Sequence, residues 1–439
     1  MKFYARKEEL SALEKQYAQT EFRSTMTVIT GRRRVGKTSL AWEFSKGKPA
    51  LYFFVSKKSE LMLCREYIET IRQMFPAAVL GEINDFRTMF KLLLSLAKDQ
   101  RIVVIIDEFQ EFLSINPAIY SEMQDVWDQK KDHSHMHLLC LGSIQSLMER
   151  IFKDSHEPLF GRADKIINLK PFGCHAIREI LLDHGHYSQE NLFAHFMITG
   201  GVPRYEEILF HNEAYTLKEI LDLYLQRDSP FVDEGKNILI QEFGREFSQY
   251  FSILELLAAG RTSRTEIESI LGTGVGGHLE RLSTTYNLVE SWKPVGSRAT
   301  GRLQKYHIDD NFLNFWFRFI HANRSAIEIG NFGYVRSIVE RDIGTFSGRV
   351  LEKLFHQLFS VSGKFNRIGN YWESGNRNEI DIVALNDVEK ALVIGEVKLN
   401  REKVDLHLLH VKSAKLIMTY PDYVKNYLAL GLQDIDTYL

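Results

Sequence analysis

The 439-residue sequence has little cysteine, little proline and almost no net charge. Its three cysteines, Cys64, Cys140 and Cys174, are scattered without a Cys-x-x-Cys pair. That excludes an even disulfide framework and points to free thiols in a reducing compartment. Nine prolines and 28 glycines leave little room for a long disordered tract. No run approaches the ~20 continuous apolar residues that span a bilayer. Charges interrupt the opening MKFYARKEEL, so it does not read as a signal peptide. The expectation is a cytoplasmic protein with no membrane partner. With a formal net charge of −2, the chain lacks the overall basic surface by which phosphate neutralisation coats nucleic acid. Any DNA or RNA contact must come from a local patch.

What is present is ordinary for a folded chain, 44% hydrophobic and 26% charged, and the length suggests two to four domains. Residues 24 to about 170 alternate short apolar runs with helical text, the pattern of a mostly parallel sheet covered on both faces. Strands are expected at 26–30, 51–55, 101–106, 137–141 and 165–169, nearly all apolar as doubly buried strands must be. A crossover helix is expected over 85–98. From about 174 the text turns helical, broken by Gly200-Gly201-Val202-Pro203. Helices at 252–259, 264–271 and 278–286, followed by strands at 288–292 and 304–308 around a polar loop, read as a winged helix. Strands at 379–385 and 391–398 follow near the end.

The first strand runs into Gly31-Arg32-Arg33-Arg34-Val35-Gly36-Lys37-Thr38, with Ser39 opening the next helix. This fits GxxxxGK[ST] at every fixed position. The glycines let successive N–H groups face phosphates, and the helix N-terminus adds its positive end. Lys37 is expected to reach the β and γ phosphates and Thr38 to ligate Mg²⁺, so ATP and Mg²⁺ are the expected cofactors. The strand RIVVII ends in Asp107 and Glu108, at the edge where α/β sheets place ligands. Asp107 is expected to orient the Mg²⁺ shell and Glu108 to polarise the attacking water. Ser143 is read either as a γ-phosphate sensor or as the N-cap of the following helix. Arg162 is read either as an arginine finger, in cis or from a neighbouring subunit, or as a surface arginine.

Through FYARKEELSALEK, GRRRVGKTS, VVIIDEFQ, LLCLGS, PLFGR and GGVPRY, roughly residues 1–320 resemble the archaeal and bacterial ATPases of the STAND clade, relatives of AAA+ ATPases. The resemblance implies that a segment carrying Arg6, Glu9 and Leu10 packs near the base of the nucleotide domain. It also implies that Gly201-Val202-Pro203 brings Pro203 to the nucleotide, where the bare sequence shows only a loop kink. A winged helix closing with YHIDDNFLNFWFRFI is the family pattern. The C-terminal part resembles the domain of unknown function commonly fused to these ATPases, itself similar to PD-(D/E)xK nucleases. The expected fold is thus α/β: a P-loop NTPase parallel sheet of the ASCE type, a helical lid, a winged helix and a restriction-endonuclease-like domain. The expected boundaries are 1–172 for the ATPase core, 173–244 for the lid, 245–310 for the winged helix, 311–347 for a helical connector and 348–439 for the last domain.

In that last domain Glu396 and Lys398 lie two apart in a strand and share a face, with Asp381 on the strand before and Glu352 on a preceding helix. Glu352, Asp381 and Glu396 are expected to hold a metal, and Lys398 to position or deprotonate a water. The first acidic position is Glu379 or Asp381 rather than a Pro-Asp pair, and the segment after Lys398 lacks the glutamine that active members often carry. In the winged helix, the third helix offers only His278, Glu280 and Arg281. The wing offers Lys293, Arg298, Arg302 and Lys305 for phosphate contacts. Two functions follow. One is an ATP-hydrolysing switch that controls a nucleic-acid-processing domain. The other is a regulatory ATPase whose last domain only binds, with nucleotide setting a homo-oligomeric state.

Overall fold

The computed structural model describes residues 2–76, 81–243, 247–297 and 303–439. They form two compact units, Lys2–Pro171 and Phe172–Leu439. Among these residues no helix is long and apolar enough to cross a membrane.

The first unit is built on five parallel strands: β1 (Thr25–Thr30), β2 (Ala50–Phe54), β3 (Ile102–Asp107), β4 (Met136–Gly142) and β5 (Lys165–Asn168). Their order is β2-β3-β4-β1-β5, so β4 lies between the phosphate-loop strand and the acidic strand. Every residue of β1, β3 and β4 is buried. Side chains alternate across the sheet: Met26, Val28, Val104 and Ile106 join one apolar cluster, Ile29, Val103 and Ile105 the other. That two-sided burial is why these segments are apolar throughout rather than alternating. Each expected strand boundary falls within one residue of the observed one. The expected crossover helix is Phe86–Leu96, started by the Asp85 carboxylate accepting from the Thr88 N–H at 2.8 Å. Two further helices, Glu60–Met74 and Ala118–Lys130, cover the sheet.

The second unit opens with the helices Cys174–Asp183, Gln189–Thr199, Pro203–His211 and Leu217–Tyr224. A fully buried polar group ties the second to the third: Glu206 meets His195 Nδ1 at 2.6 Å and the Thr199 hydroxyl at 2.5 Å. Gly201 sits between them at φ 72° with its carbonyl on the Phe172 N–H, and a Cβ there would lie 2.1 Å from the Phe172 oxygen. Only glycine fits.

Helices Phe247–Ala258, Arg264–Leu271 and Gly276–Thr284 precede an antiparallel hairpin of β6 (Val289–Trp292) and β7 (Lys305–Ile308). The first helix is already helical at Phe247, ahead of the expected 252, and its Phe251 packs edge-on against Trp316 and Phe317. Arg298 and Arg302 lie outside the described residues. The expected boundary at 347/348 falls inside one 30-residue helix, Phe332–Val361; the break expected at 244/245 lies outside the described residues. The chain ends in a mixed sheet ordered β11-β10-β9-β8, with β8 (Arg367–Glu373), β9 (Arg377–Asn386), β10 (Ala391–Val397) and β11 (Val424–Leu430). Only the β10–β11 pair is parallel.

The helix Glu234–Phe243 meets the Trp316 indole so closely that a Cβ on Gly235 would lie 2.3 Å from it. Overpacking of this kind costs about 1–3 kcal/mol. Gly235→Ala is therefore expected to lower the melting temperature of the second unit by several degrees, despite alanine's better helix propensity. Scanning calorimetry that shows no loss would contradict this packing.

Candidate nucleotide site and C-terminal pocket

The loop after β1 bends through three left-handed residues. Gly31 (φ 147°), Arg34 (φ 68°) and Gly36 (φ 89°) hold it against the sheet. A Cβ on Gly31 would meet the Leu169 carbonyl oxygen at 2.4 Å, so the first glycine is fixed by close approach. Val35 is buried beneath the loop, whereas Arg33, Arg34 and Ser39 are exposed and Arg32 is half-buried. The helix Lys37–Ser45 begins at Gly36 with no side-chain cap, leaving first-turn amides for an anion. Lys37 is buried, its ammonium donating to the carbonyls of Gly31 at 2.8 Å and Arg32 at 3.0 Å.

Thr38 Oγ1 donates to Asp107 Oδ2 at 2.7 Å, joining the end of the loop to the end of β3. The Tyr52 hydroxyl donates to the same oxygen at 2.9 Å, and the Glu108 N–H to Oδ1 at 2.9 Å. Burial, then the Asp107 carboxylate, pushes the Tyr52 phenol far above its ordinary value, so it stays a donor. Glu108 adopts a left-handed backbone (φ 56°), a cost of order 1 kcal/mol that structures keep chiefly at functional positions. Its carboxylate accepts from Ser143 Oγ at 2.6 Å and Gln110 Nε2 at 2.5 Å. Ser143 is therefore not the N-cap of the next helix, Gln145–Lys153, which starts at Ile144 without a side-chain cap. Neither Tyr52 nor Gln110 was singled out from the sequence. Tyr52 comes from β2, where Phe54 pairs with Asp107, and only the strand order brings it there.

Arg6 donates from Nη2 to Val35 O at 3.2 Å and Lys170 O at 2.6 Å, and its Nη1 meets Glu9 at 3.2 Å. Leu10 packs on the adjoining apolar cluster. Of the readings open for Arg162, the geometry within this chain does not favour a finger in cis. Arg162 precedes β5, whose Lys165 pairs with Thr27, so it lies at the opposite edge of the sheet from the loop, roughly 13 Å or more away at ~3.3 Å per strand residue. There its guanidinium donates to Phe160 O at 2.8 Å and pairs with Asp128 at 3.0 Å. Pro203 opens the helix Pro203–His211 in the second unit, at its first turn.

In the second unit a pocket of about 520 Å³ is lined by Glu352, Asp381, Glu396 and Lys398 together with the β6–β7 hairpin. Asp381 Oδ2 accepts from the Val397 N–H at 2.8 Å, and the Asp381 carbonyl accepts from His356 Nε2 and Asn370 Nδ2, both at 2.9 Å. Burial raises the Asp381 carboxyl to about 6. Burial, then Asp381 and Glu379, hold the Glu352 carboxyl well above its usual range. Glu396 is spanned by two ammonium groups, Lys398 at 3.2 Å and Lys412 at 3.0 Å. Burial would lower Lys398, but Asp381 and Glu396 overcome it and the ammonium is held above its ordinary value. Among the described residues no group of three or more His, Cys, Asp and Glu side chains is placed to hold a metal ion. The expected residues thus line one pocket, but Glu396 as placed is matched to two lysines and Asp381 to a backbone N–H rather than to a metal ion. Lys412, on the helix Leu406–Thr419, was missed because nothing in its spacing ties it to Glu396.

Residues 3–207 match an ATPase domain family predominantly from Archaea. The first half of the chain is thus similar to ATPase domains of that family. Residues 316–413 match a family of archaeal and bacterial proteins of unknown function, the pairing that the motifs implied. An uncharacterized protein of Methanocaldococcus jannaschii is 28% identical over 446 residues, covering 99% of this chain and 94% of that protein. The Walker-type ATPase of Pyrococcus abyssi shares the fold with a TM-score of 0.55 at 18% identity, over 72% of this chain and 96% of that one. The Aeropyrum pernix ORC2 protein does so with a TM-score of 0.52 at 15% identity, over 75% of this chain and 96% of that one.

Beside the pocket, burial and then Asp309 raise the Glu290 carboxyl from near 4.5 to about 7, against the pull of Lys353 and the Trp292 N–H. A carboxyl raised on folding contributes stability that is full below about 4.5 and lost as pH rises through about 7. Glu290→Gln is expected to flatten this fall, so that its melting temperature overtakes wild type by several degrees at pH 8 and not at pH 5. Parallel pH profiles for the two proteins would show that Glu290 does not titrate there.

Proposed function

We propose that the chain is an ATP-binding and ATP-hydrolysing switch whose nucleotide state governs a C-terminal domain acting on DNA or RNA. The observation that carries the first half is the 2.7 Å bond between Thr38 and Asp107, which sets a phosphate loop and an acidic strand end at one point. The uncapped helix, the close-packed Gly31 and this hydroxyl–carboxylate pair suit a nucleotide triphosphate with Mg²⁺. Bound Mg²⁺ would neutralise charge on the transferred phosphoryl group. The loop amides bind the phosphates, and Lys37 turns from the Gly31 and Arg32 carbonyls towards them. Asp107 orients Thr38. Glu108, held by Ser143 and Gln110, receives a proton from the attacking water. The similar ORC2 protein was solved as ADPNP and ADP complexes, which supports the same ligand class here.

Arg162, facing away from its own loop, suits the finger role only from a neighbouring copy in a nucleotide-dependent homo-oligomer. The three helices and hairpin over 247–308 support a winged helix. Its Lys305 is engaged by Glu379 at 2.7 Å, so phosphate contacts there compete with that pair. For the last domain, Asp381, Glu396 and Lys398 in one pocket support nuclease-like ancestry. Cleavage would first require Glu396 to leave Lys398 and Lys412. That lysine pairing favours the second reading, a binding module without cleavage.

Lys37→Ala is expected to abolish ATP hydrolysis. Glu108→Gln should retain nucleotide binding while slowing turnover about 10²–10⁴-fold. Phosphate-release assays check both, and full activity in either variant contradicts the assignment. A cleavage assay with Mg²⁺ or Mn²⁺ across nucleotide states, with Asp381→Ala and Lys398→Ala as controls, separates the two readings of the last domain.

A further inference from the structure

The pocket around Asp381 has two walls. One is the sheet β8–β10 with the helix Phe332–Val361; the other is the β6–β7 hairpin with the segments around Gly260 and Asn314. Several direct contacts join them. Lys305 of β7 pairs with Glu379 of β9 at 2.7 Å. Lys353 of the helix pairs with Asp309, just past β7, at 2.5 Å. The Val295 N–H donates to the Asn370 carbonyl of β8 at 2.9 Å, and the Val295 side chain packs on the cluster of Tyr371, Ile380 and Leu392. With the walls joined, the space left is about 520 Å³. That lies in the range of small-molecule sites, roughly 300–1,000 Å³. A duplex, whose major groove alone is ~12 Å wide, does not enter such a space. A single nucleotide, taken out of its stack into a snug pocket, does.

The chemistry of the lining agrees. Lys305, Arg318, Arg349, Lys353, Lys398 and Lys412 line the pocket, six cationic residues against the five acids Glu290, Glu352, Glu379, Asp381 and Glu396. Two of them straddle the Glu396 carboxylate, where a phosphate oxygen can compete for the same donors. Arg349 and Lys353, a turn apart on one helix, both line the pocket, and the Arg349 guanidinium lies beside Gly260. Cations ranged along a narrow slot track one sugar-phosphate backbone rather than two.

We propose that the C-terminal pocket takes single-stranded nucleic acid, one nucleotide at a time, between the hairpin and the Glu396–lysine cluster. This rests on the reading of the last domain as one that handles nucleic acid, whether it cuts or only binds. The hairpin is then a wall of the site and stays in place when the strand enters.

The test is fluorescence anisotropy of the full chain in chelator, so that no cleavage intervenes, with a short labelled single strand and the blunt duplex of the same sequence. The single strand is expected to bind about tenfold or more tightly than the duplex. Arg349→Glu should weaken it about fivefold or more. A second protein, Val295→Cys with Gly369→Cys, pins the hairpin. A Cβ on Gly369 would stand 3.0 Å from the Val295 side chain, and the native cysteines are all buried. Undiminished single-strand binding by the oxidised form supports the proposal. Binding lost on oxidation and regained on reduction would make the hairpin a lid over a duplex site and overturn it. Equal or tighter duplex binding, or binding indifferent to Arg349→Glu, overturns it while leaving the nucleic-acid reading standing. No binding of either probe by any form defeats that reading itself.

Discussion

The nucleotide site depends on one contact between distant parts of the chain, the hydroxyl of Thr38 on the carboxylate of Asp107. A glycine-bounded loop alone is a flexible turn. It becomes a phosphate cradle when the strand that precedes it and the strand carrying the carboxylate are held in one sheet with their C-terminal ends level. The insertion of β4 between them does this. It also delivers Ser143 to Glu108, so that loop, acid and polar strand end form one bonded set. The half-buried Tyr52 phenol donates to Asp107 without adding charge.

Much of this was legible because its determinants are local. Strand interiors buried on both faces can contain little but apolar residues, and the phosphate loop needs its glycines, lysine and threonine consecutively. What escaped was set by topology. Tyr52 and Gln110 reach the acidic pair only through strand order and a short turn. For Arg162 the sequence left finger and surface arginine open, and the parallel direction of β5 puts it at the end of the sheet away from the loop. The edge strands β8 and β11 are only partly buried and lack a clean apolar signal. The expected boundary at 347/348 cuts one 30-residue helix whose residues change partners along its length, from Phe315 and Phe319 at Phe346 to the C-terminal sheet.

In the C-terminal domain the expected residues come together with a different balance of charge. Two lysines on one glutamate, and acids raised by burial, describe a site neutral enough to be stable without a cation. Glu396 is buried while Lys398 is exposed and Lys412 half-buried, so removing both lysines would leave a buried carboxylate uncompensated. Either activity for this domain has to start from that arrangement.

Calorimetric titration of the folded chain with Mg·ATP tests the central claim most directly. The account predicts saturable uptake of one nucleotide per chain, lost in Lys37→Ala. A flat titration with well-folded wild-type protein would contradict it.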